Sequence, residues 1–126
     1  STGSIPAADS GSLRGDLLAH ARRLASRLTP ERVSIFAGLL LAMRTNPALA
    51  DAVRGQLIEA EVGVVRLLLQ RAIRRGELSG DRPVALLAML LPSVLFTRLL
   101  VLDAPLDDEF LARLVDQVLV PAFRNA

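Results

Sequence analysis

An all-α fold, an antiparallel bundle of about five helices, is what this sequence predicts, and three observations predict it. Leu and Ala dominate a chain that is 52% apolar, above the usual ~45–50%, while it holds four Phe and no Tyr or Trp. Leu and Ala are strong helix formers, and the residues that favour strands are sparse. Apolar residues recur at helical spacing, and Pro, Gly and capping residues divide the pattern into five blocks. At 126 residues the chain is one domain's worth, able to bury roughly two-thirds of its unfolded surface without staples.

Residues 1–11, STGSIPAADSG, read as a linker or frayed arm, and residues 12–126 as the folded domain. Ser12 is the expected cap of a first helix over 12–28, with Asp16 in its first turn and Leu13, Leu17, Leu24 and Leu28 on one side. Thr29-Pro30 starts a second helix that ends near Arg44. Asn46-Pro47 starts a third, with no breaker until Gly76, which spans about 43 Å at 1.5 Å per residue. Gly55 and Gly63 lie inside it as candidate kink or packing points. Asp81 is the expected cap of a fourth helix reaching Leu102, with a kink at Pro92. Asp107 is the expected cap of the fifth, with Leu106 and Leu111 as a hydrophobic staple.

The pI of 10.9 suggests a nucleic-acid binder, but all 15 basic residues are Arg and the net charge is only +2. Without Lys, Tyr or Cys nothing titrates between neutrality and the Arg range, so the pI reports missing buffers rather than a basic field. With no Cys, disulfide frameworks, thiolate nucleophiles and most structural zinc sites are excluded. The single histidine, His20, cannot build a usual metal site alone, and no metal or cofactor is expected. Glu59 and Glu61 stand two apart on a helix and point in different directions, a poor acid–base pair. No nucleophile elbow, P-loop or zinc-protease motif occurs, so enzyme activity is not expected. Arg71, Arg74, Arg75 and Arg82 cluster; helix-dipole compensation and solvated surface is the plain reading, a phosphate site the sharper one. No secretory signal is visible, consistent with a cytoplasmic protein, and the chain opens on Ser1 rather than Met, as a fragment of something longer would.

The fourth helix is apolar nearly all round, so it is buried on every side or lies in a membrane. Pro92, Ser93, Thr97 and Arg98 within it argue against the bilayer, where the arginine alone costs about 2.5 kcal/mol or more. The fifth helix carries two apolar edges, 110, 114 and 118 on one and 111, 115, 119 and 122 on the other. Surplus apolar surface on two consecutive helices predicts a homodimer built on a four-helix contact. Its candidate residues are Leu87, Leu91, Leu95, Arg98, Leu102, Leu111, Val115, Val118 and Ala122. Arg98 would pair with Asp103 or Asp116, snorkel to the edge, or hold an acidic ligand or partner.

Four stretches carry a family resemblance: GSLRGDLL from Gly11, MRTNPALADAVR from Met43, LLQRAIRRGEL from Leu68 and PLDDEFLARLVDQVL from Pro105. In this order they resemble the C-terminal ligand-binding and dimerisation domain of TetR-family transcriptional regulators, over about residues 11–123. The resemblance implies a bacterial repressor's effector-sensing half, whose N-terminal helix-turn-helix head is absent here and would make every DNA contact. It implies an unidentified small effector, apolar in character, held between the helices; the place to look is between helices two, three and four, with Phe36, Leu40, Met43, Val62, Met89, Ser93 and Phe96 as candidate lining, though ordinary core is the readier account of any single one. The alternative is a helical protein–protein interaction domain with no small ligand.

Overall fold

The structure, a computed structural model, describes residues 8–126, and within them five helices and no strand. Helix α1 is Leu13–Arg27 and α2 is Pro30–Met43. Helix α3 runs without a break through Pro47–Val53, Arg54–Ile58 and Glu59–Arg74, its middle stretch widened into a π turn. Helix α4 is Val84–Phe96 followed by a π turn over Thr97–Val101. Helix α5 joins Asp108–Leu114, a π turn over Val115–Leu119, and Val120–Asn125.

The starts are set by side-chain caps. Ser12 accepts the Gly15 N–H (2.9 Å), Thr29 the Arg32 N–H (3.2 Å), Asn46 the Leu49 N–H (3.1 Å) and Asp107 the Phe110 N–H (2.9 Å). Each satisfies one of the donors a helix leaves orphaned. Helix α3 ends in a Schellman turn: Gly76 has φ 82°, its N–H donates to the Ile73 carbonyl (3.0 Å), and the Glu77 N–H donates to the Ala72 carbonyl (2.9 Å). Asp103 takes the equivalent left-handed place after α4, with φ 49°.

One expected start is corrected. Asp81 does not cap α4; the helix begins at Val84, with Pro83 in the cap position and no side chain accepting there. Arg82 precedes a proline and is biased away from helical geometry, which delays the start. The irregularities also fall elsewhere than Pro92 suggests. Helix α4 continues through Pro92 and departs from α geometry only at Thr97. Gly55 does lie in the π turn of α3. Pro121 follows the π turn of α5, where the Val120 N–H donates to the Val115 carbonyl; the wider turn relieves the carbonyl that a proline ring would strike.

Helix α1 is the centre, packing against α3, α4 and α5. Leu13, Leu17, Leu68, Leu95, Val115, Leu119 and Phe123 form the most deeply buried part of one continuous core. Helix α2 differs: Val33 is its only buried residue, it rests mainly on the first stretch of α3, and Ile35 and Leu41 are 66% and 72% exposed. Two bidentate arginine pairs brace α1 against α5 on the outside, Arg14 with Asp116 and Arg22 with Asp108, both at 2.7 Å. Each arginine's hydrogen bond and charge hold its carboxylate below the usual range.

Candidate functional site

Helix α4 has two apolar faces with different fates. Leu87, Ala88, Leu91 and Leu95 face inward. Leu86, Met89, Ser93 and Leu100 recur at steps of three, four and seven on the opposite side and are exposed, Leu86 by 66%. Val118 on α5 is also exposed. The segment Val84–Val101 is long and apolar enough to cross a membrane by length and composition, although its inner face belongs to the chain's own core.

This arrangement divides the expected pairing residues between the chain's own core and its surface. Leu87, Leu91, Leu95, Leu111 and Val115 lie in the chain's own core, and Ala122 is half-buried against it. Of the nine candidates, Leu102 and Val118 are exposed and Arg98 is half-buried. Where a helix is apolar all round, periodicity cannot choose between its faces; the choice is made by α1 and α3 packing onto one of them.

An open groove of about 270 Å³ lies between the end of α4 and the start of α5. Ser93, Val94, Thr97, Arg98, Leu102 and Phe110 line it. Arg98 takes neither of its expected carboxylates. Its Nε donates to the Pro105 carbonyl (2.7 Å) and its guanidinium lies 3.9 Å from the centre of the Phe110 ring. Asp116 is occupied by Arg14. The expected effector lining is spread over α2, α3 and α4 with differing exposure. Phe36 and Phe96 stack with ring centres 5.1 Å apart, filling the contact between α2 and α4. Val62 is half-buried against the core, Met43 is half-buried, and Leu40 and Met89 are exposed. Ser93 alone of that set lines the groove.

A polar network at the N-terminal end was not legible as a unit. Of the arm expected over residues 1–11, residues 1–7 lie outside the described part. From Asp9 onward the chain is tied down by Arg75, which is 19% exposed at its side chain. Arg75 reaches Asp9 (2.7 Å), Asp16 (3.0 Å) and Glu77 (2.7 Å). Asp16 is fully buried at its side chain and accepts the Ser10 N–H (2.9 Å). The Glu77 carboxylate accepts the Leu13 N–H with both oxygens (3.1 and 3.0 Å), serving the start of α1 from the end of α3. Burial alone would push the Asp16 pKa up, but the Ser10 hydrogen bonds and Arg75 outweigh it and hold Asp16 below the usual carboxylate range. Burial is likewise outweighed at Glu77, by the Leu13 N–H, Arg75 and Arg124.

Arg82 and His20, both singled out by the sequence, have structural partners. Arg82 donates to the carbonyls of Ser79, Phe123 and Arg124 at 2.8, 2.8 and 3.0 Å, tying the α3–α4 turn to the end of α5. His20 is buried and its Nε2 lies 2.8 Å from Glu61, linking α1 to α3. Glu59 is exposed, so the two glutamates do point apart. Among the described residues no group of three or more His, Cys, Asp or Glu could hold a metal ion.

Five helices, an apolar outer stripe on α4 and an open groove beside it make up an all-α helical module over the described residues. The comparisons with known proteins give that class its family. A family profile described as "Tetracyclin repressor-like, C-terminal domain" matches residues 7–118. The chain belongs to this family of regulator C-terminal domains. It is 37% identical over 119 residues to a DNA-binding transcriptional repressor TetR of Mycobacteroides abscessus, a match covering 92% of this chain and 60% of that protein. It is 31% identical over 118 residues to an HTH-type transcriptional regulator of Mycobacterium tuberculosis, covering 94% and 58%. It is 27% identical over 114 residues to the HTH-type regulator YdeS of Bacillus subtilis, covering 90% and 58%. The chain thus spans about three-fifths of the length of these relatives.

Proposed function

We propose that this chain is the effector-sensing and pairing half of a bacterial TetR-type repressor, acting in the cytoplasm without enzymatic chemistry. In this reading two copies join through the outer stripe of α4 and the exposed edge of α5, and a small molecule shifts the spacing of two DNA-reading heads that precede the domain. The observation that carries it is the outer face of α4, with Leu86, Met89 and Leu100 exposed directly opposite a fully formed core. A contiguous apolar face of this kind on a soluble module marks a contact surface, and a two-fold contact between identical stripes is the commonest way to cover one. The revised pairing residues are Leu86, Met89, Ser93, Leu100 and Val118 in place of the buried leucines. The effector in turn must favour one head spacing over the other, since a ligand with equal affinity for both shifts nothing.

Light scattering behind a sizing column tests the pairing. The expected mass at micromolar concentration is twice 13.5 kDa, and Leu86→Glu with Val118→Glu should halve it while leaving helicity intact. A clean wild-type monomer would remove the pairing reading. The second reading, a helical interaction domain without a small ligand, draws on α2, whose Ile35 and Leu41 stand exposed. Under it a partner helix would dock on α2 and the α4 variants would leave the mass unchanged.

A further inference from the structure

We infer that the turn over residues 9–12 is a clasp, closed by Arg75, that fixes the direction in which the polypeptide enters α1 and ties that entry point to the end of α5. This deepens the regulator reading. It rests on that reading for what the entering chain carries and for the second copy, though not for the clasp itself. The turn is closed from within. Gly11 takes φ 93°, its N–H donates to the Asp9 carboxylate (2.8 Å), and the Ser10 hydroxyl donates to the Ser12 carbonyl (3.0 Å). The closed turn is then laid on α1. The Ser10 N–H donates to the buried Asp16 carboxylate (2.9 Å). Ser10 also rests so closely on Gly15 that a Cβ there would strike its hydroxyl and stand 3.0 Å from its own Cβ. The hydroxyl could rotate away from such a group, but the Ser10 Cβ could not without moving the backbone of the turn.

Arg75 locks the turn from the end of α3. Its Nη1 donates to Asp9, its Nη2 to Asp16 and its Nε to Glu77. A guanidinium is planar, so a fork that holds three acids fixes their mutual orientation and not only their distance. The same corner reaches α5. Glu77 lies on the turn between α3 and α4, and Arg82 on that turn donates to the carbonyls of Phe123 and Arg124 in the last turn of α5. Charged hydrogen bonds and a short stretch of backbone therefore run from Asp9 to the end of α5. In the proposed pair α4 and α5 meet their copies. A closed corner would pass the spacing of the pair on to the two entry points, and an open clasp would not.

The chain has no cysteine, so Ala8→Cys or Ser26→Cys carries a single nitroxide label, just ahead of the clasp or near the far end of α1. Both positions are exposed. Pulsed dipolar spectroscopy reads the label-to-label distance across the pair, and the continuous-wave line shape reads the label's local motion in a pair or a monomer. With Arg75 in place both positions should give narrow distance distributions, and residue 8 a slowed line shape. R75Q should broaden the residue 8 distribution by roughly 10–12 Å, the span of four freed residues, and leave residue 26 unchanged. R75K, which keeps the charge without the fork, should fall between. Because R75Q leaves Asp16 buried without its partner, helicity is measured on it. G15A and D9N open the clasp with the Arg75–Asp16 contact in place and should broaden residue 8 alone, D9N by less. Residue 8 equally narrow in wild type, R75Q and G15A, or already broad in the wild type, would overturn the inference. Residue 26 broadening together with residue 8 would overturn it too, since the whole helix and not the clasp would have loosened. A missing dipolar signal at both positions removes the pairing alone. The clasp is then decided by the residue 8 line shape: slowed in the wild type and sharpened in R75Q and G15A upholds it, and equal line shapes overturn it.

Discussion

Arg75 does more than its neighbours because one planar fork reaches three carboxylates that come from different parts of the chain. Asp9 and Asp16 precede or open α1, and Glu77 follows α3. Losing the guanidinium leaves Asp16 buried without a counter-charge, so Arg75→Gln should cost about 1–3 kcal/mol at neutral pH, read from the urea midpoint. The pH dependence has a definite sign. Asp16 and Glu77 are both held below their ordinary values of 3.8 and 4.5, so the stability they contribute is present above those values and is lost as pH falls through them toward the depressed folded values. The wild-type midpoint should therefore fall between about pH 5 and 3, while Arg75→Gln shows a shallower fall; parallel curves for the two proteins would show that the network does not set the acid limb. Burial makes a second residue-scale contrast. Leu95 is 0% exposed, so Leu95→Ala opens a cavity and should cost about 2–5 kcal/mol. Leu86→Ala, on the outer face of the same helix, should stay within about 0.5 kcal/mol in the unpaired chain.

At the level of elements, the caps and turns made most of the fold readable. Ser12, Thr29-Pro30, Asn46-Pro47 and Asp107 each place a side-chain acceptor where the first turn needs one, and such signals are local in sequence. Gly76 is readable for the same reason, since a left-handed residue must follow α3 and glycine adopts that geometry without cost. A Cβ there would meet nothing within 4 Å, so Gly76→Ala carries only the conformational penalty, about 1 kcal/mol, measurable as a lowered thermal midpoint; a loss several times larger would point to a packing role. What was not readable depends on partners far away in sequence. Arg75 and Asp9 are 66 positions apart, and nothing in a run of arginines says which one finds the acids. The face of α4 that turns inward is likewise chosen by α1 and α3, so spacing alone could not place Leu87, Leu91 and Leu95 in the chain's own core, where they are buried. Arg98 drew notice as a charge in an apolar helix, but its partners, a carbonyl seven residues on and a phenyl ring, carry no sequence signature. The stack of Phe36 on Phe96 shows the same limit: both rings are candidate pocket lining, and that they touch each other across α2 and α4 has no signature in their spacing along the chain.

On the scale of the whole molecule, the five helices are not equally committed to the core. Helix α1 is held from three sides and pinned at its start by Glu77, while α2 contributes only Val33 to buried surface and keeps one ring contact with α4. Local opening free energies follow buried contact, so α2 belongs at the low end of the stability range. Native-state hydrogen exchange should show the amides of Pro30–Met43 opening at a free energy well below that of α1 and the Glu59–Arg74 stretch of α3, which should exchange only through global unfolding. The consequence for sensing is direct, because the least stable element is the one a ligand can order most cheaply. An effector seated beneath α2 would slow exchange there, by closing the space between α2 and the α3–α4 wall. Pairing through the outer stripe of α4 would protect residues 86–100 in proportion to protein concentration and not to ligand. Exchange measured across a dilution series separates pairing from a response in α2 in one experiment. Uniform protection of α2 at the level of α1 would mean that the helix is held by contacts beyond Val33 and the Phe36–Phe96 stack, and would remove α2 as the responsive element.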